Sequence, residues 1–228
     1  KSVAVQIADL DGDATNMLDL LVANEDTFDR IYLGMLTESG ERTEVEIPES
    51  ETKKSTDVGV GRGIGVDEFS SAIVWTYEDA FDTIMEWTQD RSASLEGSPL
   101  LAAEVFILDT TVGVTNSRAV IVEQLDDTDS IPDIVVIRKD DTVNNAAGHV
   151  YTGVGALTDD SLVTNRKAIG TEAISGVSVT VFDDSISIID ENGGVHEFLL
   201  TGGTWTFDTY RDANLGTTTG GTQSSDFQ

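Results

Sequence analysis

The chain has no cysteine, which excludes disulfides, thiolate metal sites and a cysteine nucleophile. Proline is scarce, with 3 in 228 residues, so long stretches such as 117–131 are free to pair as strands. Histidine occurs only twice, at His149 and His196. Each falls in or beside a predicted return strand, where a lone histidine reads as structural or exposed. Cationic residues are few. There are 13 Lys+Arg against 42 Asp+Glu, a formal net charge of −29. A polyanion repels phosphate backbones and anionic lipid, so nucleic acid is excluded as a partner and cations, divalent ones above all, are favoured. No run approaches the roughly 20 apolar residues that a membrane helix needs, so no membrane insertion is expected. Adaptation to salty water accounts for the total charge but not for its clustering.

Catalytic motifs are also missing. There is no Gly-x-Ser-x-Gly elbow. His196-Glu197 lacks the second histidine of a zinc-protease helix. Gly59-Val60-Gly61-Arg62-Gly63-Ile64-Gly65 lacks the Lys-Ser/Thr of a phosphate loop and reads as a glycine-rich turn. No enzyme is expected on this basis.

What is present is an internal repeat. Glu25-Asp26-Thr27-Phe28-Asp29-Arg30-Ile31-Tyr32 and Glu78-Asp79-Ala80-Phe81-Asp82-Thr83-Ile84-Met85 share five of eight residues at a spacing of 53. Each copy follows a short apolar run, Leu20–Ala23 or Ala72–Trp75, suited to a strand buried on both faces. A third unit runs through Ala119–Val122, an acidic loop, Asp133–Ile137 and His149–Tyr151. A fourth runs through Val177–Val181, Ser185–Ile189, a turn at Asn192-Gly193-Gly194 and Val195–Leu200, with Trp205–Phe207 as a further strand. Helical spacing is also available over Glu78–Thr88, but the match to residues 25–32 predicts a turn and a strand instead. Short β-branched runs between turn residues predict an all-β chain, and units of this size suit four-stranded blades stacked radially. The expected units are 1–50, 51–110, 111–165 and 166–212. The Gly/Thr/Ser-rich 213–228 reads as a flexible tail or linker, and Lys1 rather than Met at the start suggests a processed chain or a piece of a longer one.

The sharpest motif is Asp9-Leu10-Asp11-Gly12-Asp13, followed by Asp19. Alternating carboxylates repel unless a cation neutralises them. Calcium takes six to eight oxygens, and a glycine permits the tight loop. Asp9, Asp11 and Asp13 supply carboxylates, the Thr15 carbonyl another oxygen, and Asp19 closes the set. A solvated acidic turn is the plainer alternative. An EF-hand fails, because the positions that need Gly and Glu hold Ala14 and Leu20.

Residues 3–13, then Asp19-Leu20-Leu21-Val22-Ala23-Asn24 and Arg30-Ile31-Tyr32-Leu33, resemble an FG-GAP/VCBS repeat. That family includes the propellers of integrin alpha chains, with calcium held in Asp-x-Asp-Gly-Asp loops. The resemblance implies a β-propeller, or a propeller fragment of about four blades, with bound Ca2+ and a secreted or cell-surface location. The interval from Asp13 to Asp19 is longer than the family's usual one, and the second unit has no acidic loop. The third keeps a degraded loop at Asp126, Thr128 and Asp133. The expected function is non-catalytic adhesion, filament structure or assembly, with protein partners or self-association through propeller faces or edges. A calcium-dependent lectin binding glycans and an accessory domain of a secreted hydrolase are the alternatives. The aromatic residues Tyr32, Trp75, Tyr77, Trp87, Tyr151 and Trp205 suit sugar stacking, but read more simply as packing between sheets.

Overall fold

A computed structural model describes residues 1–10, 18–33, 43–47, 50–62, 71–87, 105–109, 115–123, 125, 132–139, 145–152, 166–171, 173–182, 185–201 and 204–211. These residues are all-β, without an α-helix, and no helix among them is long and apolar enough to cross a membrane. Sheet 1 holds β1 (Ser2–Ala8), β2 (Asp19–Asn24), β3 (Asp29–Leu33) and β4 (Thr43–Ile47). Sheet 2 holds β5 (Ser55–Arg62), β6 (Ser71–Tyr77), β7 (Thr83–Trp87) and β8 (Val105–Ile107). Sheet 3 holds β9 (Ser117–Glu123), β10 (Asp133–Arg138), β11 (Gly148–Tyr151) and β12 (Arg166–Ile169). Sheet 4 holds β13 (Gly176–Phe182), β14 (Ser185–Asp190), β15 (Val195–Thr201) and β16 (Thr204–Arg211). Each is an antiparallel meander in chain order, and one parallel pairing, Ile169 with Trp205, joins the outer strands of sheets 3 and 4. The segment after Phe81 is a strand, as the repeat match predicted, not a helix.

The sheets stack face to face through three apolar layers. Leu21, Ala23, Ile31 and Ile47 of sheet 1 meet Val58, Ile73, Trp75 and Met85 of sheet 2. Ala72, Val74 and Ile84 meet Val120, Ile134, Val136 and Tyr151 of sheet 3. Val135, Ile137 and Val150 meet Ile186, Ile188 and Phe198 of sheet 4. Alternation along each strand assigns odd and even residues to opposite faces, so a central strand of a sheet covered on both sides is buried at every position. That is why β6 (SAIVWTY) and β10 (DIVVIR) are buried throughout. The first strands also follow one another, β1 beside β5, β5 beside β9 and β9 beside β13. β13 does not pack on β1 in the same way, so the stack is open between sheets 4 and 1.

One joint recurs along the stack. The residue after each second strand donates its N–H to the carbonyl just before the first strand of the same sheet. The pairs are Glu25 to Lys1 (2.7 Å), Glu78 to Lys54 (2.9 Å), Lys139 to Asn116 (2.9 Å) and Glu191 to Ser175 (3.0 Å). The repeated aspartate of the sequence adds a second bond set. Asp29 Oδ1 accepts from Asn24 N (2.7 Å), and its Oδ2 accepts from Ser55 Oγ of sheet 2 (2.9 Å). Asp82 Oδ1 accepts from Tyr77 N (3.0 Å), and its Oδ2 accepts from Ser117 Oγ of sheet 3 (2.7 Å). Each carboxylate thus closes its own hairpin and grips the start of the next sheet. Between sheets 3 and 4 both partners are glycine. Register places Gly148 where the aspartates stand and Gly176 where the serines stand. A Cβ at Gly148 would lie 2.2 Å from Val136 O, and one at Gly176 would lie 2.4 Å from Ile137 Cγ2.

The glycine-rich run expected as a turn is a strand as far as Arg62. Gly59 and Gly61 let β9 approach β5: a Cβ on Gly61 would sit 2.2 Å from Val122 Cγ1. Gly61→Ala is therefore expected to overpack the layer between sheets 2 and 3. A loss of about 1–3 kcal/mol in denaturant unfolding is predicted, and an unchanged midpoint would contradict the close approach.

Candidate functional site

Of the sequence-predicted metal residues, Asp9, Asp19 and Asp133 lie among the described residues. Asp11, Asp13, Thr15, Asp126 and Thr128 lie outside them. Asp19 opens β2, is buried, and its Oδ2 accepts from Leu10 N at 2.8 Å. This bond ties together the two ends of the acidic loop. Asp133 opens β10 in the same way, buried, with Oδ2 accepting from Leu125 N at 3.0 Å. The two sites share one construction: a leucine N–H after the first strand, turned back onto an aspartate at the start of the second. In sheet 2 the register position of Asp19 is taken by Ala72, so neither aspartate has a counterpart there. Among the described residues no group of three or more metal-ligating side chains converges.

A second polar cluster lies between sheets 2 and 3 and was not foreseen. Arg138, fully buried at the end of β10, donates from Nη2 to Tyr151 Oη (3.1 Å) and to Asp82 Oδ2 (3.4 Å). Its Nη1 lies 2.6 Å from His149 Nδ1. Arginine can only donate, so that nitrogen accepts and the imidazole is neutral. Burial, then the neighbouring guanidinium of Arg138, lowers the His149 pKa to about 3. Tyr151 Oη donates to Asp109 Oδ2 (2.9 Å), which also takes Arg166 Nη1 (3.0 Å). Burial raises Asp82 to about 6, against the opposing pull of Arg138 and Ser117. The cluster is packed shut, with Asp82, Asp109, Ser117, Arg138, His149 and Tyr151 all buried. It joins sheets 2 and 3. His149 is buried within it, and His196 lies 2.9 Å from Asp190 on sheet 4.

The third feature is a cavity of about 500 Å³. All four first strands line it, through Val3 and Val5 of β1, Asp57 of β5, Arg118 and Val120 of β9, and Val177 and Val179 of β13. Asp57 is the one acid among its described lining residues. Burial raises it to about 6, although its carboxylate accepts from Val120 N (2.9 Å) and Val58 N (2.9 Å). The only sequence signal for Asp57 is a single acid inside a Val/Gly run, which periodicity alone does not distinguish from an exposed strand position. Trp75, Tyr77 and Tyr151 are buried between sheets, and Tyr32 is half-buried; the side chains of Trp87 and Trp205 lie outside the described set. Compared with known proteins, the chain matches no family model, and no characterised protein is similar to it in sequence.

Asp29, Asp57 and Asp82 all stand raised to about 6 by burial. An unfolded aspartate titrates near 3.9. Between the two values the folded chain holds protons that the unfolded chain has lost, so stability falls as pH rises through that window. Melting is predicted to occur at a higher temperature at pH 5 than at pH 7. Asp57→Asn removes one of the three groups and flattens the slope; an identical slope in variant and parent would remove Asp57 from the account.

Proposed function

We propose that the chain is a non-catalytic, propeller-type module for adhesion or assembly, stiffened by calcium at the loop from Asp9 to Asp19. The observation that carries this is the placement of the first strands. Four meanders stack in chain order, with β1, β5, β9 and β13 together bounding one cavity. Radial arrangement with the first strand innermost is how propeller blades meet.

The metal proposal rests on the chemistry of the loop. Asp9, Asp11 and Asp13 are oxygen donors of the hard type that calcium prefers. Asp19, its Oδ2 held by Leu10 N–H, fixes where the chain re-enters the sheet. Calcium would lower the repulsion of the aspartates and couple the loop to β2. Asp133 and Leu125 give the loop at 126–131 the same ends, which makes it the second candidate, with Asp126 and Thr128 as further donors. The excess of acid suits a secreted or cell-surface protein that meets millimolar calcium.

Melting the protein in calcium and in chelator tests this reading. At free calcium about a hundredfold above Kd the folded state gains about 2.7 kcal/mol, which for a chain of this size shifts Tm by roughly 5–11 °C. Asp11→Asn together with Asp13→Asn is expected to abolish the shift. An equal Tm with calcium and chelator would remove the ion.

A further inference from the structure

The outer face of sheet 1 repeats, position by position, the faces by which sheets 2 and 3 receive the sheet before them. Val5, Ile7, Leu20, Val22 and Tyr32 stand 53 residues before Val58, Val60, Ile73, Trp75 and Met85. Those five pack against sheet 1. In sheet 3 the same register positions hold Val120, Val122, Ile134, Val136 and Tyr151, which pack against sheet 2. On sheet 1 this surface is open, with Val5 57% and Ile7 59% exposed.

The polar end of the joint is repeated too. Where a sheet is received, the first residue of its first strand and the last residue of its second strand are paired in register, and both donate to the incoming aspartate. Ser55 and Tyr77 reach Asp29 Oδ2 at 2.9 and 3.5 Å. Ser117 and Arg138 reach Asp82 Oδ2 at 2.7 and 3.4 Å. On sheet 1 the corresponding pair is Ser2 and Asn24: Ser2 Oγ donates to Asn24 Oδ1 at 2.8 Å and Asn24 Nδ2 to Phe28 O at 2.7 Å, so the Ser2 hydroxyl would turn from Asn24 to an incoming aspartate. Sheet 4 has Gly176 and Asp190 instead, and it faces Gly148, where an aspartate is lacking. A donor pair therefore accompanies each received aspartate, and sheet 1 has the pair.

We infer that the outer face of sheet 1 is a socket for a further four-stranded antiparallel sheet. That sheet would present aliphatic side chains and an aspartate at the head of its third strand, as sheets 1 and 2 do. The inference rests on the stacked-module reading above. Sheet 4 of this chain does not fit as the occupant. At the register position of the aspartate it has Val195, and its side away from the core, beside the exposed Phe182, carries the polar row Thr180, Ser187 and Glu197 paired across β13, β14 and β15, which would be buried without partners against Val5 and Ile7.

Because the chain has no cysteine, one introduced thiol reports on the face. Ile7→Cys is placed in the 228-residue chain and in two extended chains, one with residues 1–53 repeated ahead of Lys1 and one with residues 54–115 placed there. Both extensions bring an aspartate to Ser2 at the native interval. The thiol is expected to react freely in the parent and about tenfold or more slowly in an extended chain, with Ser2→Ala restoring part of the rate. Reaction unslowed in both extended chains, whether or not the added sheet folds, overturns the socket. So does a slow rate in the parent accompanied by a dimer in sedimentation equilibrium, because the face would then be self-complementary. Val58→Cys in the parent separates the two levels: fast reaction there sinks the stack itself, slow reaction leaves only the socket in question.

Discussion

A buried aspartate at the head of the third strand is the constraint on which this architecture turns. A carboxylate out of water is costly unless its oxygens are filled, and Asp29 and Asp82 meet that demand from two directions. One oxygen takes the backbone N–H that would otherwise be orphaned at the hairpin. The other takes a hydroxyl from the next sheet. The first requirement is met within the hairpin and the second only when the next sheet is in place, so the inter-sheet hydrogen bond makes stacking register-specific in a way that aliphatic contact alone does not. Charge-assisted bonds of this type are the stronger ones, and removing one partner leaves the other buried and unfilled.

The third junction shows what replaces the bond. With glycine at 148 and 176 no side-chain bond is available, and Gly176 lies against the Ile137 side chain of sheet 3. The layer there is also fed by Phe198 and by Ile169 of β12, and the outer strands of sheets 3 and 4 touch at Ile169 and Trp205. Apolar area and one edge pairing stand in for a polar joint. The net charge of −29 acts against all three layers by self-repulsion, which makes the internal filling of carboxylates more valuable here than in a neutral chain. Arg138 contributes the same economy at the second junction, serving Asp82, Tyr151 and His149 at once.

Much of this was legible in the residues. Period-two patterning and buried apolar runs identified strands in every sheet, and the Glu-Asp-x-Phe-Asp repeat set the 53-residue spacing of the first two units. Its meaning was not legible, because Asp29 and Ser55 are 26 residues apart and nothing local relates them. Gly59 and Gly61 read as turn formers because glycine marks turns more often than close strand approach; only the position of Val122 on another sheet explains them. Arg138 follows four apolar residues, and its burial depends on Tyr151 and Asp82, which meet it only after two sheets have packed. At the acidic loop the sequence pointed to Asp19 as a closing residue, and the structure gives it a definite partner, Leu10 N. Asp133 was singled out too, in the degraded loop with Asp126 and Thr128, but its bond to Leu125 N was not legible there.

A double-mutant cycle on Asp29→Ala and Ser55→Ala, read by denaturant unfolding, tests the central claim most directly. The two residues lie on different sheets and interact through one 2.9 Å bond. Coupling of about 1 kcal/mol or more is predicted if the aspartate joins the sheets. Losses that add to within about 0.3–0.5 kcal/mol would show that the two side chains act independently and would contradict the account.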